Sequence, residues 1–183
     1  MLRNRNVWIA VVVLLLASGA AVLARFALPA RPATDFTLTD QNGRPYTLSA
    51  HRGHVIALFF GYAHCPDECP TTLAALARAK RKAGAAGATF DVVLVTVDPA
   101  RDTPAALKRY VDQFDPAFTA VTGSAAQLDP VYSAYHVVHE IKGDDIEHST
   151  FVQFITPVGR LGGIGDWTDS PDHFIALMQQ ARS

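Results

Sequence analysis

Two cysteines four positions apart are the residues of this chain whose type and spacing most directly indicate chemistry. Cys65 and Cys69 are the only cysteines among the 183 residues, and they lie in the stretch FFGYAHCPDECPTTL. On a helix, side chains four positions apart share one face, so both sulfurs can point to one site at a helix N-terminus. The helix dipole there favours thiolate, which attacks disulfides and also binds soft metals. The pair therefore indicates either redox chemistry or metal binding.

The segments on either side of the cysteines predict a strand followed by a helix. Residues 55–60, VIALFF, are apolar throughout and of strand length, which is typical of a strand buried on both faces. A helix is predicted for residues 71–86, which are rich in alanine and have basic residues toward their end. A second buried strand is predicted for residues 90–97, and Asp102 or Thr103 is predicted to cap the helix that follows.

The rest of the chain continues to alternate strands and helices. A hairpin is predicted for residues 35–48, which contain an Asn-Gly turn, and a short strand for residues 119–122. Residues 142–147 predict a polar loop, residues 149–155 a strand, and residues 171–181 a final helix. This pattern predicts an α/β fold in which helices cover both faces of a central mixed sheet, and specifically a thioredoxin-like fold.

The N-terminal segment predicts a membrane helix. Residues 7–24 contain no charged side chain and are just long enough to span a bilayer as a helix. Arg3 and Arg5 precede this segment, which predicts that the N-terminus faces the cytoplasm and the domain faces outward. A cleaved signal peptide that ends at Ala24, with a soluble periplasmic domain, is the alternative interpretation.

The predicted anchor divides the chain into four parts. Residues 1–6 are expected to be the cytoplasmic N-terminus, residues 25–34 a linker, and residues 35–183 the exported domain. Four of the 16 basic residues lie within the first 31 positions, so 12 remain against all 17 acidic residues. An acidic domain argues against a nucleic-acid partner, which needs a basic face. The expected location is a bacterial inner membrane, with the domain in the periplasm.

A three-coordinate thiolate metal site would need one more donor, and histidine is the usual one. His148 lies where the predicted polar loop enters the next strand, and in thioredoxin-like folds that loop faces the active cysteines. His64 adjoins Cys65 but is expected to point away from the helix face, so it is interpreted as a residue that tunes the thiol. Position makes His148 the candidate third ligand, and the choice between metal and redox chemistry stays open.

The stretch FFGYAHCPDECPTTL resembles the signature of the SCO/SenC family of copper-binding assembly proteins. Three further features are similar to that family: the motif VTVDPARDTP at residues 95–104, the motif EHS at residues 147–149, and the following strand with Pro157 and Gly159. The resemblance covers about residues 35–181. It implies a thioredoxin-like fold for the domain.

The same resemblance implies a copper site formed by Cys65, Cys69 and His148, for Cu(I) or Cu(II), with Asp98 behind it. It also implies delivery of copper, or upkeep of the acceptor thiols, during maturation of cytochrome c oxidase. The implied partners are the copper-bearing subunit of the oxidase and other copper chaperones. The alternative function is that of a thiol–disulfide oxidoreductase or redox sensor, in which the two cysteines oxidise reversibly. An enzyme that turns over a small molecule is not expected.

Overall fold

The computed structural model describes residues 30–142 and 145–183. Within these ranges no helix combines the length and the apolar character that crossing a membrane requires. The predicted membrane helix at residues 7–24 lies outside the described residues.

A seven-stranded mixed sheet forms the centre of the domain. The strands in chain order are β1 Thr37–Asp40, β2 Pro45–Thr47, β3 Val55–Gly61, β4 Phe90–Thr96, β5 Thr119–Thr122, β6 His139–Lys142, β7 Asp145–His148, β8 Val152–Ile155 and β9 Leu161–Gly165. The sheet has the order β2-β1-β5-β4-β3-β8-β9, and β6 pairs with β7 in a separate hairpin. Strand β4 runs parallel to β3 and β5, whereas the other neighbours in the sheet are antiparallel.

Helices cover both faces of this sheet. They are α1 Glu68–Lys82, α2 Pro104–Val111, α3 Ala125–Ala134 and α4 Pro171–Arg182, with short 3-10 helices at Leu48–His51 and Gly84–Thr89. The ring of Phe60 contacts Tyr132 of α3, whereas a Cβ on the next residue, Gly61, would lie 2.9 Å from Cys69 Sγ of α1. Successive residues of a strand point to opposite faces, so α1 and α3 lie on opposite sides. This arrangement confirms the predicted α/β class.

Strand β3 is an interior strand of the central sheet. All seven residues of Val55–Gly61 are buried, because β4 and β8 flank the strand and helices pack on both faces. A strand shielded on both faces has no solvent side, which explains its continuous apolar sequence. Its carboxyl end leads directly to the cysteines, so a fully buried strand carries the candidate site.

The structure corrects one predicted element. Residues 142–147 were expected to form a polar loop, but β6 and β7 form an antiparallel hairpin in which His139 pairs with His148. His148 is therefore the last residue of β7, and the next sheet strand begins only at Val152. A two-stranded hairpin outside the main sheet leaves side chains such as Glu140 and Glu147 exposed. Its sequence is consequently polar, and a polar stretch without clear alternation is read as a loop.

Candidate metal centre

The two cysteines lie in the connection between β3 and α1. The Cys65 backbone N–H donates to the Tyr62 carbonyl at 3.3 Å and closes a tight turn directly after β3. Helix α1 begins at Glu68, earlier than predicted, so Cys69 lies in its first turn. The Cys69 N–H donates to Cys65 Sγ at 3.4 Å. The Cys65 sulfur therefore satisfies one of the amides that every helix N-terminus leaves without a backbone partner.

His148 reaches the cysteines from the end of the β6–β7 hairpin. Its Nε2 lies 3.6 Å from Cys69 Sγ, and its Nδ1 lies 2.9 Å from the Ser149 carbonyl oxygen. A carbonyl can only accept, so Nδ1 carries a proton and donates it. The Nε2 atom is then the ring nitrogen that faces the sulfurs, and the carbonyl holds the ring in this orientation, as is common for metal-binding histidines.

The structure brings together the three side chains that the sequence singled out as donors. Ligand atoms of Cys65, Cys69 and His148 all lie within 4.8 Å of one another. Both cysteines are free thiols; Cys69 is fully buried and Cys65 is partly buried. A pair of sulfurs and one imidazole nitrogen converge on a point at the edge of the core. That set of donors suits a soft metal ion.

The pKa values of Cys65, Cys69 and His148 are shifted in different directions. The Cys69 thiol donates toward Cys65 and, although burial opposes the charge, the pKa of Cys65 is lowered to about 4, with His148 contributing further. The same hydrogen bond, together with burial, raises the pKa of Cys69. Burial disfavours a charged His148, but the bonds to the Cys65 sulfur and the Ser149 carbonyl and the negative charges of Cys65 and Glu68 together outweigh that effect and raise the pKa of the imidazole. Without metal, the site therefore holds a Cys65 thiolate beside a neutral Cys69 thiol.

A groove of about 1020 Å³ opens the site to solvent. It is lined by Tyr62, Cys65, Pro66, Asp67, Glu68, Ile146, Glu147, His148 and Thr150. Burial, and next the negative charge of Cys65, raise the pKa of Glu68. Carboxylates at the opening make the groove more favourable for a cation than for an anion.

Tyr62 connects the cysteine turn to the hairpin that carries His148. The Tyr62 ring is buried and meets the His148 ring edge to face at 5.6 Å between centroids. Its hydroxyl oxygen accepts from the Ile146 N–H at 3.4 Å. The position of His148 relative to the cysteines is therefore coupled to the turn through Tyr62, a residue that no pattern in the sequence singled out.

Asp98, which the resemblance places behind the site, lies two residues beyond the end of β4. Its carboxylate pairs with Arg101, and its backbone N–H donates to Thr96 Oγ1 at 2.8 Å. The Asp98 carboxylate lies near the His64 ring and the Asp102 carboxylate, and one candidate ligand atom from each of these side chains lies within 4.8 Å of the others. The His64 ring, expected to tune the thiol, is exposed, with Nδ1 3.9 Å from Asp102 Oδ1.

Asp102 is the site residue that the sequence interpretation missed. It was a candidate cap for α2, but Thr103 Oγ1 performs that role by accepting from the Ala106 N–H at 3.2 Å. Asp102 is fully buried and accepts instead from the backbone of Ala63, 39 positions earlier in the chain. Burial raises the pKa of its carboxyl group. Its place in the motif RDTP was the only available signal.

Comparisons with known proteins agree with this geometry. A family model described as SCO1/SenC matches residues 27–182. The mitochondrial SCO2 homologue of Bos taurus is 38% identical over 133 residues, which cover 68% of this chain and 50% of that protein. An SCO2-like protein of Rickettsia conorii is 34% identical over 133 residues, which cover 69% of this chain and 65% of that protein. The chain thus spans between half and just under two thirds of the length of these curated relatives.

Solved structures resemble the domain along nearly their whole length. The structure of Bradyrhizobium japonicum ScoI with copper bound has a TM-score of 0.75 and 30% identity, and the match covers 82% of this chain and 99% of that one. The apo Sco1 protein from Thermus thermophilus has a TM-score of 0.75 and 32% identity, with 83% and 92% covered. These similarities confirm the thioredoxin-like arrangement of the mixed sheet and its helices.

Proposed function

We propose a function for this chain from the premise that it belongs to the SCO1/SenC family. It binds copper through Cys65, Cys69 and His148 and delivers the metal during maturation of cytochrome c oxidase. The observation that carries this proposal is the convergence of the three donors, whose ligand atoms lie within 4.8 Å of one another. The similar ScoI of Bradyrhizobium japonicum has been solved with copper bound.

The residues present fit copper in both chemistry and spacing. Thiolate and imidazole are the donors that Cu(I) selects. Bonds of about 2.3 Å, as in thiolate sites of zinc, would separate the donors of a trigonal site by about 4 Å. The 3.6 Å between Cys69 Sγ and His148 Nε2 is close to that separation. Little movement of the side chains is needed to bind the ion.

The protonation of the site determines what copper must displace. Cys65 is already a thiolate, because its pKa is lowered to about 4. Burial and the Cys65 bond raise the pKa of Cys69, so its thiol proton has to leave when copper binds. The raised pKa of His148 means that any proton on Nε2 also leaves when copper binds. We therefore expect the release of at least one proton per copper ion near neutral pH.

Anaerobic Cu(I) titration of the full chain, purified in detergent, tests the ligand set. His148→Ala should weaken copper binding by more than about a hundredfold, because loss of a ligand exceeds the effect of losing an outer-sphere contact. Cu(II) in the wild-type site should give strong visible absorption from thiolate, and the variant should change this spectrum.

His54→Ala is the matched control, since it removes a histidine that contacts Asp91, at the opposite end of β3. Its copper affinity should equal that of the wild type. If His148→Ala leaves both affinity and spectrum unchanged, the proposed ligand set is wrong.

A second function, thiol–disulfide exchange, has support from a specific observation. The lowered pKa of Cys65, to about 4, makes it a thiolate at neutral pH, and Cys69 is adjacent through the 3.4 Å contact of its N–H with Cys65 Sγ. A thiolate next to a second thiol is the arrangement that disulfide exchange needs. In this alternative the protein keeps the cysteines of its acceptor reduced.

The two functions differ in their need for His148. A strain that carries only His148→Ala, assayed for oxidase activity, separates them. Impaired oxidase assembly supports copper delivery, whereas normal assembly supports redox chemistry by the cysteines alone. Since copper loading itself requires reduced thiols, the redox state of Cys65 and Cys69 should be measured in the same strain.

The proposed location is a bacterial inner membrane, with the domain in the periplasm. The uncharged residues 7–24 and the preceding Arg3 and Arg5 support an anchor of this orientation. The proposed partners are the copper-bearing subunit of the oxidase and other copper chaperones. Protease treatment of spheroplasts tests the orientation, because a periplasmic domain is digested and a cytoplasmic one is protected. A mature N-terminus after Ala24 would instead show a cleaved signal peptide.

A further inference from the structure

Asp102 is a fully buried acidic residue outside the set of donors, and its carboxylate accepts hydrogen bonds from two distinct groups. The Thr96 hydroxyl donates to Oδ2 at 2.6 Å. The Ala63 backbone N–H lies 3.3 Å from Oδ1 and 3.2 Å from Oδ2. Hydrogen bonds to a buried carboxylate are charge-assisted and therefore stronger than those between neutral groups. This carboxylate joins the end of β4 to the turn that follows β3.

The Asp102 backbone is itself held in place. Its N–H donates to the Asp98 carbonyl at 2.9 Å, and the Asp98 N–H donates to Thr96 Oγ1 at 2.8 Å. The carboxylate is thus fixed from its own main chain and from the last residue of β4. A group held in this way can orient a neighbouring segment rather than follow it.

Ala63 belongs to the turn from Tyr62 to Cys65, which contains one donor of the metal centre and contacts another, His148. Cys65, at the end of the turn, is one donor. Tyr62, at its beginning, packs edge to face against the His148 ring and binds the Ile146 N–H through its hydroxyl. The hydrogen bond to Ala63 lies between these two residues, so the turn cannot shift without moving contacts to both donors.

We propose that Asp102 is a positioning residue, whose buried carboxylate fixes the turn from Tyr62 to Cys65 and so sets the distance between Cys65 and His148. This inference rests on the proposed copper-binding function and assigns a role to a residue that touches neither sulfur. A carboxylate is required because both of its oxygens accept. The amide of asparagine has one acceptor oxygen and would direct its NH₂ group at a donor, either the Ala63 N–H or the Thr96 hydroxyl.

The test compares Asp102→Asn with Thr103→Ala in the full chain. Asp102→Asn should weaken Cu(I) binding about tenfold to a hundredfold, the usual effect of losing an outer-sphere contact, and should shift the Cu(II)–thiolate absorption band. Thr103→Ala removes the cap of α2 in the same segment and lowers thermal stability without contacting the turn. Its copper affinity and spectrum should remain those of the wild type.

A second measurement needs no copper. Hydrogen exchange at the Ala63 amide, followed by NMR in the metal-free chain, should be slow in the wild type and in Thr103→Ala and fast in Asp102→Asn. This readout keeps the two proposals separate. If the wild type binds no copper, the proposed function fails, and the Ala63 amide still decides whether Asp102 holds the turn.

Unchanged affinity, spectrum and Ala63 exchange in Asp102→Asn would overturn the proposal. An equal loss of affinity in Thr103→Ala would also overturn it, because general destabilisation would then explain both variants. If Asp102→Asn does not fold, Thr96→Val removes only the hydroxyl that donates to Oδ2. A smaller loss of affinity and faster Ala63 exchange in that variant support the role of the carboxylate, and wild-type behaviour contradicts it.

Discussion

Two clusters of ionisable side chains lie at opposite ends of the parallel strands β3 and β4. At the carboxyl end, Cys65, Cys69 and His148 direct their ligand atoms toward one another within 4.8 Å. At the amino end, His51 and His54 both approach the single carboxylate of Asp91, with Nδ1–Oδ2 distances of 3.8 and 2.8 Å. Both clusters contain histidine beside groups that can carry negative charge, yet their geometries are unlike.

The two clusters differ in whether their side chains point to a shared empty position and in how far they are shielded from solvent. The amino-end histidines have side chains that are 38% and 41% exposed and converge on one acceptor rather than on an empty point. Exposed pairs of this kind add little to stability and are screened by salt. At the carboxyl end Cys69 is fully buried, and several donors face a shared position. The residue types at the two ends resemble each other, but only the arrangement at the carboxyl end can replace the hydration of a metal ion.

The largest expected contrast between the two ends is in copper affinity. Cys69→Ala removes a buried thiolate ligand and should weaken Cu(I) binding on the order of a thousandfold, equivalent to about 4 kcal/mol. The double change His51→Ala and His54→Ala removes both amino-end imidazoles and should leave affinity unchanged. Competition titration against a Cu(I) chelator measures both. Loss of affinity in the double variant would show that the amino end also holds copper.

The next contrast concerns the response of the thiols to pH. An ordinary thiol, with a pKa near 8.5, loses about tenfold in alkylation rate for each pH unit below neutrality. Cys65, with its pKa lowered to about 4, should react with iodoacetamide at a nearly constant rate from pH 7 to pH 5. The rate of an ordinary thiol falls about a hundredfold over the same range. Peptide mass spectrometry of the metal-free chain measures this rate. Cys69→Ala is the control, because it removes the main cause of the lowered pKa and should restore an ordinary pH dependence.

The same shifts set the pH dependence of folding. A lowered pKa means that the Cys65 thiolate stabilises the native state fully above the pKa of the unfolded thiol and loses that contribution as pH falls toward about 4. A raised pKa means the reverse for His148, whose contribution is complete below about pH 6.5 and is lost as pH rises through its native pKa. Urea unfolding at pH 4, 6 and 8 should show both trends, and His148→Ala should remove the second and weaken the first, because His148 also contributes to the lowered pKa of Cys65.

Glycines at the two ends provide a smaller contrast in stability. Gly61→Ala would place a Cβ 2.9 Å from Cys69 Sγ and 3.0 Å from the Phe59 ring, and overpacking of this kind costs about 2 kcal/mol. Gly53, at the amino end, has a φ of +95° and open space around it, so Gly53→Ala should cost only the backbone strain, about 1 kcal/mol. Urea unfolding measures both. Gly61→Ala should also weaken copper binding by displacing the sulfur, and an unchanged affinity would contradict this packing.

The sequence predicted those parts of the molecule that depend on neighbours close in the chain. The apolar run of β3 and the spacing of Cys65 and Cys69 both follow from local patterns. The position of His148 followed from resemblance and from the order of elements, although the hairpin that carries it was misread as a loop. That error has a physical origin, since the exposed Glu140 and Glu147 accompany the buried Ile146 in so short a hairpin that no clear alternation reveals its period.

Asp102 shows what the sequence could not supply. Its neighbours made helix capping the natural interpretation, because aspartate before Thr103 and proline is typical of a helix start. Its actual partner, Ala63, is 39 positions away, and its complete burial depends on how β4 packs beside β3. Contacts between segments that are far apart in the chain decide such roles. They become visible only when the sheet has been assembled.

Two buried tyrosine hydroxyls, one near each end, carry the smallest predicted effect. Among the described residues, neither the Tyr110 hydroxyl nor the Tyr46 hydroxyl has a hydrogen-bond partner. Burial and then the charges of Cys69 and Cys65 raise the pKa of Tyr110, whereas the Tyr46 ring stacks on His51. A buried polar group without a partner loses its hydration uncompensated, so Tyr110→Phe and Tyr46→Phe should each stabilise the metal-free domain by about 1 kcal/mol in urea unfolding. Destabilisation by Tyr110→Phe alone would mean that its hydroxyl supports the thiols, and the two ends would then differ in polar contacts as well as in donors.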